Sequence, residues 1–175
     1  MPASRHSTIK YKAGWQVFLL VLLAAYLPAG RAQADCTGLG CSCSITADPL
    51  DFGNYNPLSG STVDATGNVT VECGALVLGA FFSYEITLGP GASGNAAGRT
   101  MSNGSGTMSY NLYTDSSRSI VWGDGSGGTG TVTNSYTLSI LFPRSDDFPV
   151  YGRLPSGQNA EVGSYSDTIV ATVIF

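Results

Sequence analysis

Histidine and lysine are all but missing from this sequence. The one histidine, His6, and both lysines, Lys10 and Lys12, fall within the first dozen residues. Without histidine, the rest of the chain cannot build a Ser-His-Asp or Cys-His nucleophile site. Beyond residue 34 the only basic residues are Arg99, Arg118, Arg144 and Arg153, against all twelve acidic ones, a formal charge of −8. So acidic a chain has nothing to neutralise phosphates with, which excludes nucleic acid as a partner. Helical periodicity is also missing after the first thirty residues, so the body of the protein is read as all-β. Charged residues make up only 11% of the chain.

What the N-terminus does contain is a removable leader. Arg5, Lys10 and Lys12 precede an apolar run from Ala13 to Leu27, Pro28 breaks it, and Ala32-Gln33-Ala34 has the small-residue pattern of a cleavage site. Residues 1–34 are expected to be a secretory signal peptide, with the mature chain starting at Asp35. The apolar run is shorter than the roughly 20 residues a membrane span needs, so no membrane span is expected in the mature form. Residues 35–175 suit a single domain.

All four cysteines lie in that domain, as Cys36, Cys41, Cys43 and Cys73. An even count in an exported chain predicts two disulfides. A metal site is disfavoured, because no histidine assists and the Cys41-x-Cys43 spacing has no matching second pair. Cys43 alternates in phase with Ile45 and Ala47, and Cys73 with Val69 and Val71, so both point to one interior. A Cys43–Cys73 bridge with a local Cys36–Cys41 loop follows. Cys41 shares the parity of Cys43, so a Cys41–Cys73 bridge stays open. Closing a loop of about thirty residues is worth about 3–4 kcal/mol in the chain-entropy picture.

Alternation of period two recurs along the chain. It is cleanest at Phe82, Tyr84, Ile86 and Leu88, and returns at Met108, Tyr110 and Leu112 and at Tyr136, Leu138, Ile140 and Phe142. Leu50 to Tyr55, Ile120 to Trp122 and Tyr151 to Leu154 are shorter extended pieces, while Pro143 to Pro149 and the cysteine-bearing 35–42 stretch have little strand character. The closing stretch GSYSDTIVATVIF places Tyr165, Ile169, Ala171, Val173 and Phe175 on one face, with Asp167 the exception. Six principal strands with Gly-rich turns predict a β-sandwich or barrel. An immunoglobulin-like sandwich has seven or more.

Sites for chemistry are scarce. The GDGSGGTG run from Gly123 to Gly130 lacks the lysine of a phosphate-cradling loop and is expected to be a hairpin tip. Asp146-Asp147 has no calcium-loop spacing around it. Asp51, Asp115, Asp124 and Glu161 offer carboxylates for glycoside hydrolysis, but no pair stands out. Trp122, Tyr113 and Tyr151 offer a sugar-stacking platform, against which stands ordinary core packing. No cofactor is expected, and no enzyme.

Taken in order, CSITADPLDFGNY, PLSGSTVDATGNVTVEC, RTM at Arg99–Met101, YNLYTD at Tyr110–Asp115, VWGDG, YGRLPSGQ and GSYSDTIVATVIF resemble the spore coat protein U domain family. That family includes pilin-like subunits of the archaic chaperone–usher pathway. The resemblance implies an incomplete immunoglobulin-like β-sandwich whose final strand is supplied in trans. It implies a periplasmic chaperone, an outer-membrane usher and other pilin subunits as partners, and a route through the periplasm to a fimbrium or coat on the cell surface. Tyr165, Ile169, Ala171, Val173 and Phe175 are then expected to line the groove for the added strand. A tip adhesin or carbohydrate- or surface-binding module is the alternative. The sequence departs from polymerising members in its 35–42 stretch. That stretch offers only Leu39 and two cysteines where they carry an alternating apolar donor segment.

Overall fold

The computed structural model describes residues 35–138 and 142–175. The leader and Ile140 lie outside the described residues. Among the described residues nine strands make two sheets. β1 (Asp35–Thr37), β4 (Phe81–Leu88), β7 (Val132–Thr137) and β9 (Ala171–Ile174) form one. β2 (Ser42–Ala47), β3 (Val63–Gly74), β8 (Arg144–Leu154), β6 (Thr107–Tyr113) and β5 (Arg99–Ser102) form the other, in that order. Among the described residues the only helical element is a 3-10 turn at Gly91–Ser93.

β4 shows why these residues make strands. Phe82, Tyr84, Ile86 and Leu88 are at most 2% exposed, while Ser83, Glu85 and Thr87 face outward more openly. Val69, Val71 and Cys73 from β3 meet that face from the opposite sheet, with Val150 and Leu154 of β8 and Met108, Tyr110 and Leu112 of β6. Trp122 is fully buried among them and donates its indole N–H to the Ile86 carbonyl at 3.0 Å. The proposed sugar platform therefore fails at its main member. A buried tryptophan with its N–H satisfied packs the core and cannot stack on a ligand.

The cysteines pair as Cys36–Cys41 and Cys43–Cys73. Cys43 and Cys73 stand directly opposite each other in the β2–β3 ladder, so this bridge ties an edge strand to its neighbour.

Several elements differ from the sequence reading. β8 runs straight through the stretch expected to be irregular. Pro149 is tolerated there because β6 pairs with β8 only at Tyr151–Arg153. At Pro149 the only ladder neighbour is Asn68 of β3, so β8 has an unpartnered side there for a residue without an N–H. The 35–37 stretch forms β1, pairing with Phe81–Ser83. The Leu50–Tyr55 piece has no ladder partner, and Ile120–Trp122 contributes isolated bridges only. Phe142, expected on an inward strand face, is 73% exposed, because β7 ends at Thr137. The closing strand is shorter than its alternation predicts. Ser166 bridges to Ser102 in one sheet, the Gly89 N–H donates to the Val170 carbonyl, and only Ala171–Ile174 pair with β4 in the other. The segment thus crosses from sheet to sheet before it becomes a strand.

The order β2-β3-β8-β6 opposite β4 and β9 is the A-B-E-D against C-F arrangement of an immunoglobulin-like sandwich. In that arrangement a further strand, G, lies beside F. Here the outer flank of β9 carries no strand among the described residues.

Candidate functional site: a groove beside the last strand

Among the described residues the two sheet edges nearest this vacancy are β2, which pairs with β3 alone, and β9, which pairs with β4 alone. Past Ala47 at the end of β2 and ahead of Ala171 at the start of β9, the sandwich opens into a groove of about 860 Å³. One wall is the chain from Ala47 to Tyr55, and the other runs from Ala160 to Ile169 and on to Ala171. Val69, Leu88, Met101, Met108, Leu112 and Leu154 form an apolar floor, so the groove reaches the core itself.

Local chemistry places each wall. Leu50 and Phe52 lie flush on the sheet because Gly67 and Gly152 leave room. A Cβ on Gly152 would come within 2.8 Å of the Phe52 ring. Phe52 then packs edge-on against Tyr110, with ring centroids 5.9 Å apart. The opposite wall is pinned by Asp167, the one charge in the apolar phase of the closing stretch. Its Oδ2 accepts the Tyr110 hydroxyl at 2.7 Å and its Oδ1 accepts the Ala92 N–H at 2.9 Å. Burial, then the hydrogen bond to Asp167, raises the Tyr110 pKa, so the phenol stays protonated and donating. Gly91 sits under this carboxylate at φ +67°, where any side chain would collide with it.

Arg99 holds the floor. It is fully buried, and burial lowers its pKa. Its guanidinium donates to the carbonyls of Leu88, Gly89, Ala96 and Trp122 and to Oδ1 of Asn111, at 2.8–3.2 Å. No carboxylate is among these acceptors. Nothing in the sequence marks Arg99 as different from the other three arginines, since its role depends on carbonyls brought together by the fold.

The residues expected to line the groove divide. Tyr165, Ile169 and Ala171 do line it, and each is half-buried rather than buried. Val173 is half-buried opposite Ile86 in the ladder, away from the groove lining, and Phe175 is 42% exposed. The lining instead includes the 47–55 wall, which the LDFGNY alternation marked only as a short extended piece.

The remaining candidates are engaged elsewhere. Asp51 and Glu161 sit on opposite walls, where Asp51 accepts from the Gly53 N–H and Glu161 from the Ser105 hydroxyl. Asp124 caps its own glycine-rich turn at Ser126. Asp146 accepts from Tyr84, Asn134 and Arg144, and Asp147 from Thr70 and Asn68. No group of metal-ligating side chains occurs among the described residues.

Asp115 folds its own loop. It accepts the Ser117 hydroxyl, the Ile120 N–H at 2.9 Å and the Ser119 N–H at 3.0 Å. The Ser117 hydroxyl first, then the Ile120 N–H, hold its carboxyl well below the usual carboxylate range. A depressed folded-state pKa contributes stability above the unfolded value, and that contribution is lost as pH falls through the folded pKa. Asp115→Asn should therefore lower the melting temperature at neutral pH, with the gap from wild type closing in strong acid. A gap independent of pH would show that the charge is not what holds the loop.

The Spore Coat Protein U domain family matches residues 35–172, which is nearly everything described above. The chain belongs to the Spore Coat Protein U domain family. Within reach of the same comparison is a protein named Protein U, from Myxococcus xanthus. It is 37% identical over 175 residues, covering 87% of this chain and 91% of that one. Among solved structures, a similar chain occurs in a complex of a chaperone with a tip adhesion subunit, from archaic chaperone-usher Csu pili of Acinetobacter baumannii. The likeness there is 22% identity at a TM-score of 0.49, covering 77% of this chain and 40% of the other. In this member of the Spore Coat Protein U domain family, the groove adjoins the free flank of β9 at Ala171.

Proposed function

We propose that the chain is a structural, non-enzymatic subunit of a surface fibre or coat, joined to its partners by strand addition. The observation that carries this reading is the groove itself. It adjoins the unpaired flank of β9 at Ala171, and its floor is the apolar core, which supports the addition of one more strand there. An extended segment with alternating apolar residues fits such a place, since its backbone pairs with the free edge and its side chains fill the groove. In this reading residues 1–34 are removed on export. A periplasmic chaperone occupies the groove in transit and an outer-membrane usher passes the subunit on. A strand from another subunit then replaces the chaperone.

A photo-crosslinking residue at Leu50, on the groove wall, tests the assembly. In the producing cell it should yield an adduct with a segment of another exported polypeptide, and Ile169→Asp should abolish it. Leu50 adducts that are absent, or unchanged in the Ile169→Asp variant, would count against strand addition. N-terminal sequencing of the exported protein should begin at Asp35. A product retaining Trp15 to Leu23 would show that the leader is not a signal peptide.

A second reading, a surface-binding tip module, has its own observation. The end of the sandwich holding the Cys36–Cys41 loop and the β3–β4 loop displays Leu39, Leu76 and Leu78, each more than 60% exposed, with Phe142 at 73%. These loops interlock, the Leu76 N–H donating to the Leu39 carbonyl and the Gly79 N–H to that of Leu138. An apolar end on an acidic body suits attachment to an apolar surface.

A further inference from the structure

β9 and β1 lie end to end along the same β4 strand. Ala171–Ile174 oppose Leu88–Glu85, and Asp35–Thr37 oppose Ser83–Phe81, both antiparallel to β4. The other neighbour of β4, β7, pairs along Phe81–Ile86 and so occupies the opposite flank. Between the two short ladders only Tyr84 is left, and continuing the β9 register places Phe175 opposite it. The two strands therefore act as one composite strand matching the 8 residues of β4. The phase is continuous as well. Ala171 opposes Leu88, Val173 opposes Ile86 and Cys36 opposes Phe82, all of which are buried positions of β4. Ala171, Val173 and Cys36 each pack against the core. The Cys36–Cys41 bridge ties β1 into its own loop. Neither β1 nor β9 has a second strand partner among the described residues, so the free edge runs on from the groove at Ala171 to Thr37.

We infer that the strand received by this protein pairs with β9 and continues onto β1, so that the N-terminal strand is half of the acceptor edge rather than a donor to another subunit. This rests on the proposed strand addition and specifies its partner. The occupant is an extended segment of another polypeptide, about eight residues or about 26 Å long along this edge, with apolar side chains at alternate positions. β9 alone offers four residues, below the usual strand length of about five to six. An unpaired row of backbone N–H and C=O groups is matched by another strand and by little else.

Hydrogen exchange separates this inference from the reading beneath it. The mature chain is refolded with a synthetic peptide alternating valine with threonine, either about eight or about four residues long. The longer peptide should slow exchange at the amides of both Thr172–Ile174 and Cys36–Thr37, and the shorter one at only one of them. Cys36→Ser with Cys41→Ser should weaken the longer peptide about tenfold, the effect of one or two lost backbone hydrogen bonds, and spare a shorter peptide bound at β9. If the β9 amides are protected while those of β1 exchange freely, the composite edge is overturned and strand addition stands. If neither is protected by either peptide, strand addition itself fails.

Discussion

A donor strand fused to the mature chain through a flexible linker should convert an aggregating sample into a monomer that melts cooperatively. The groove walls leave Leu50, Phe52, Tyr165 and Ile169 only half-buried above the floor of Val69, Met108 and Leu154. At about 25 cal/mol per Å², covering at most about 200 Å² of apolar surface contributes up to about 5 kcal/mol. Typical domain stability is only about 5–15 kcal/mol, so the vacancy removes a large share of it. The free edges of β2 and β9 add a route to self-association. Ile169→Asp should abolish the rescue by placing a charge in the groove, whereas Thr172→Ser, on the exposed face of β9, should leave it unchanged. The measurement is thermal unfolding with and without the fused strand. A monomeric domain that already melts high and gains nothing from the fusion would mean that the sandwich is complete.

The second large effect belongs to Arg99. Arg99→Met in the strand-fused protein should cost about 3–5 kcal/mol, comparable to breaking a buried ion pair. Methionine fills part of the volume but leaves the carbonyls of Leu88, Gly89, Ala96 and Trp122 without that donor in a buried place. Arg99→Lys should recover little, since one ammonium cannot reach acceptors spread around a planar fork. The loss should also loosen the groove, because Leu88 is part of its floor and the partner of Ala171. Urea unfolding checks this, and a loss below about 1 kcal/mol would make the cluster incidental.

How much of this was legible depended on whether a residue's surroundings are local. β4 was plain because FFSYEITL alternates without a break and both its faces obey the pattern. Phase narrowed the partner of Cys73 to Cys43 or Cys41, since strand parity decides which side chains can meet, and the ladder register sets Cys43 opposite it. β1 was hidden, as three residues carry no period and its partner, Phe81–Ser83, lies far along the chain. β8 was masked by Pro149, whose acceptability depends on β6 ending its pairing two residues away. The closing stretch was half legible. Its alternation gave the correct phase for Tyr165, Ile169 and Ala171, but not the crossing between sheets that limits β9 to four residues. The groove wall at 47–55 showed only as the short extended LDFGNY piece, because its role as a wall depends on what does not pair with it.

The bridge between Cys43 and Cys73 also bears on how such a subunit carries tension. In the proposed assembly, a strand paired with β9 and pulled along its length also loads β2, the edge in contact with β9. An edge strand held by hydrogen bonds alone can be unzipped from one end, one bond at a time. Here β2 is riveted to β3 near its beginning, at the second residue of the strand. Peeling that reaches Cys43 has to stop there, because going further requires breaking a covalent bond. Force is passed on to β3, which pairs with β8 over eleven residues from Val63 to Cys73. Those eleven pairs would be stressed together in shear instead of in sequence, so in the proposed assembly the weakest link under load would be the inserted strand and not the subunit that grips it.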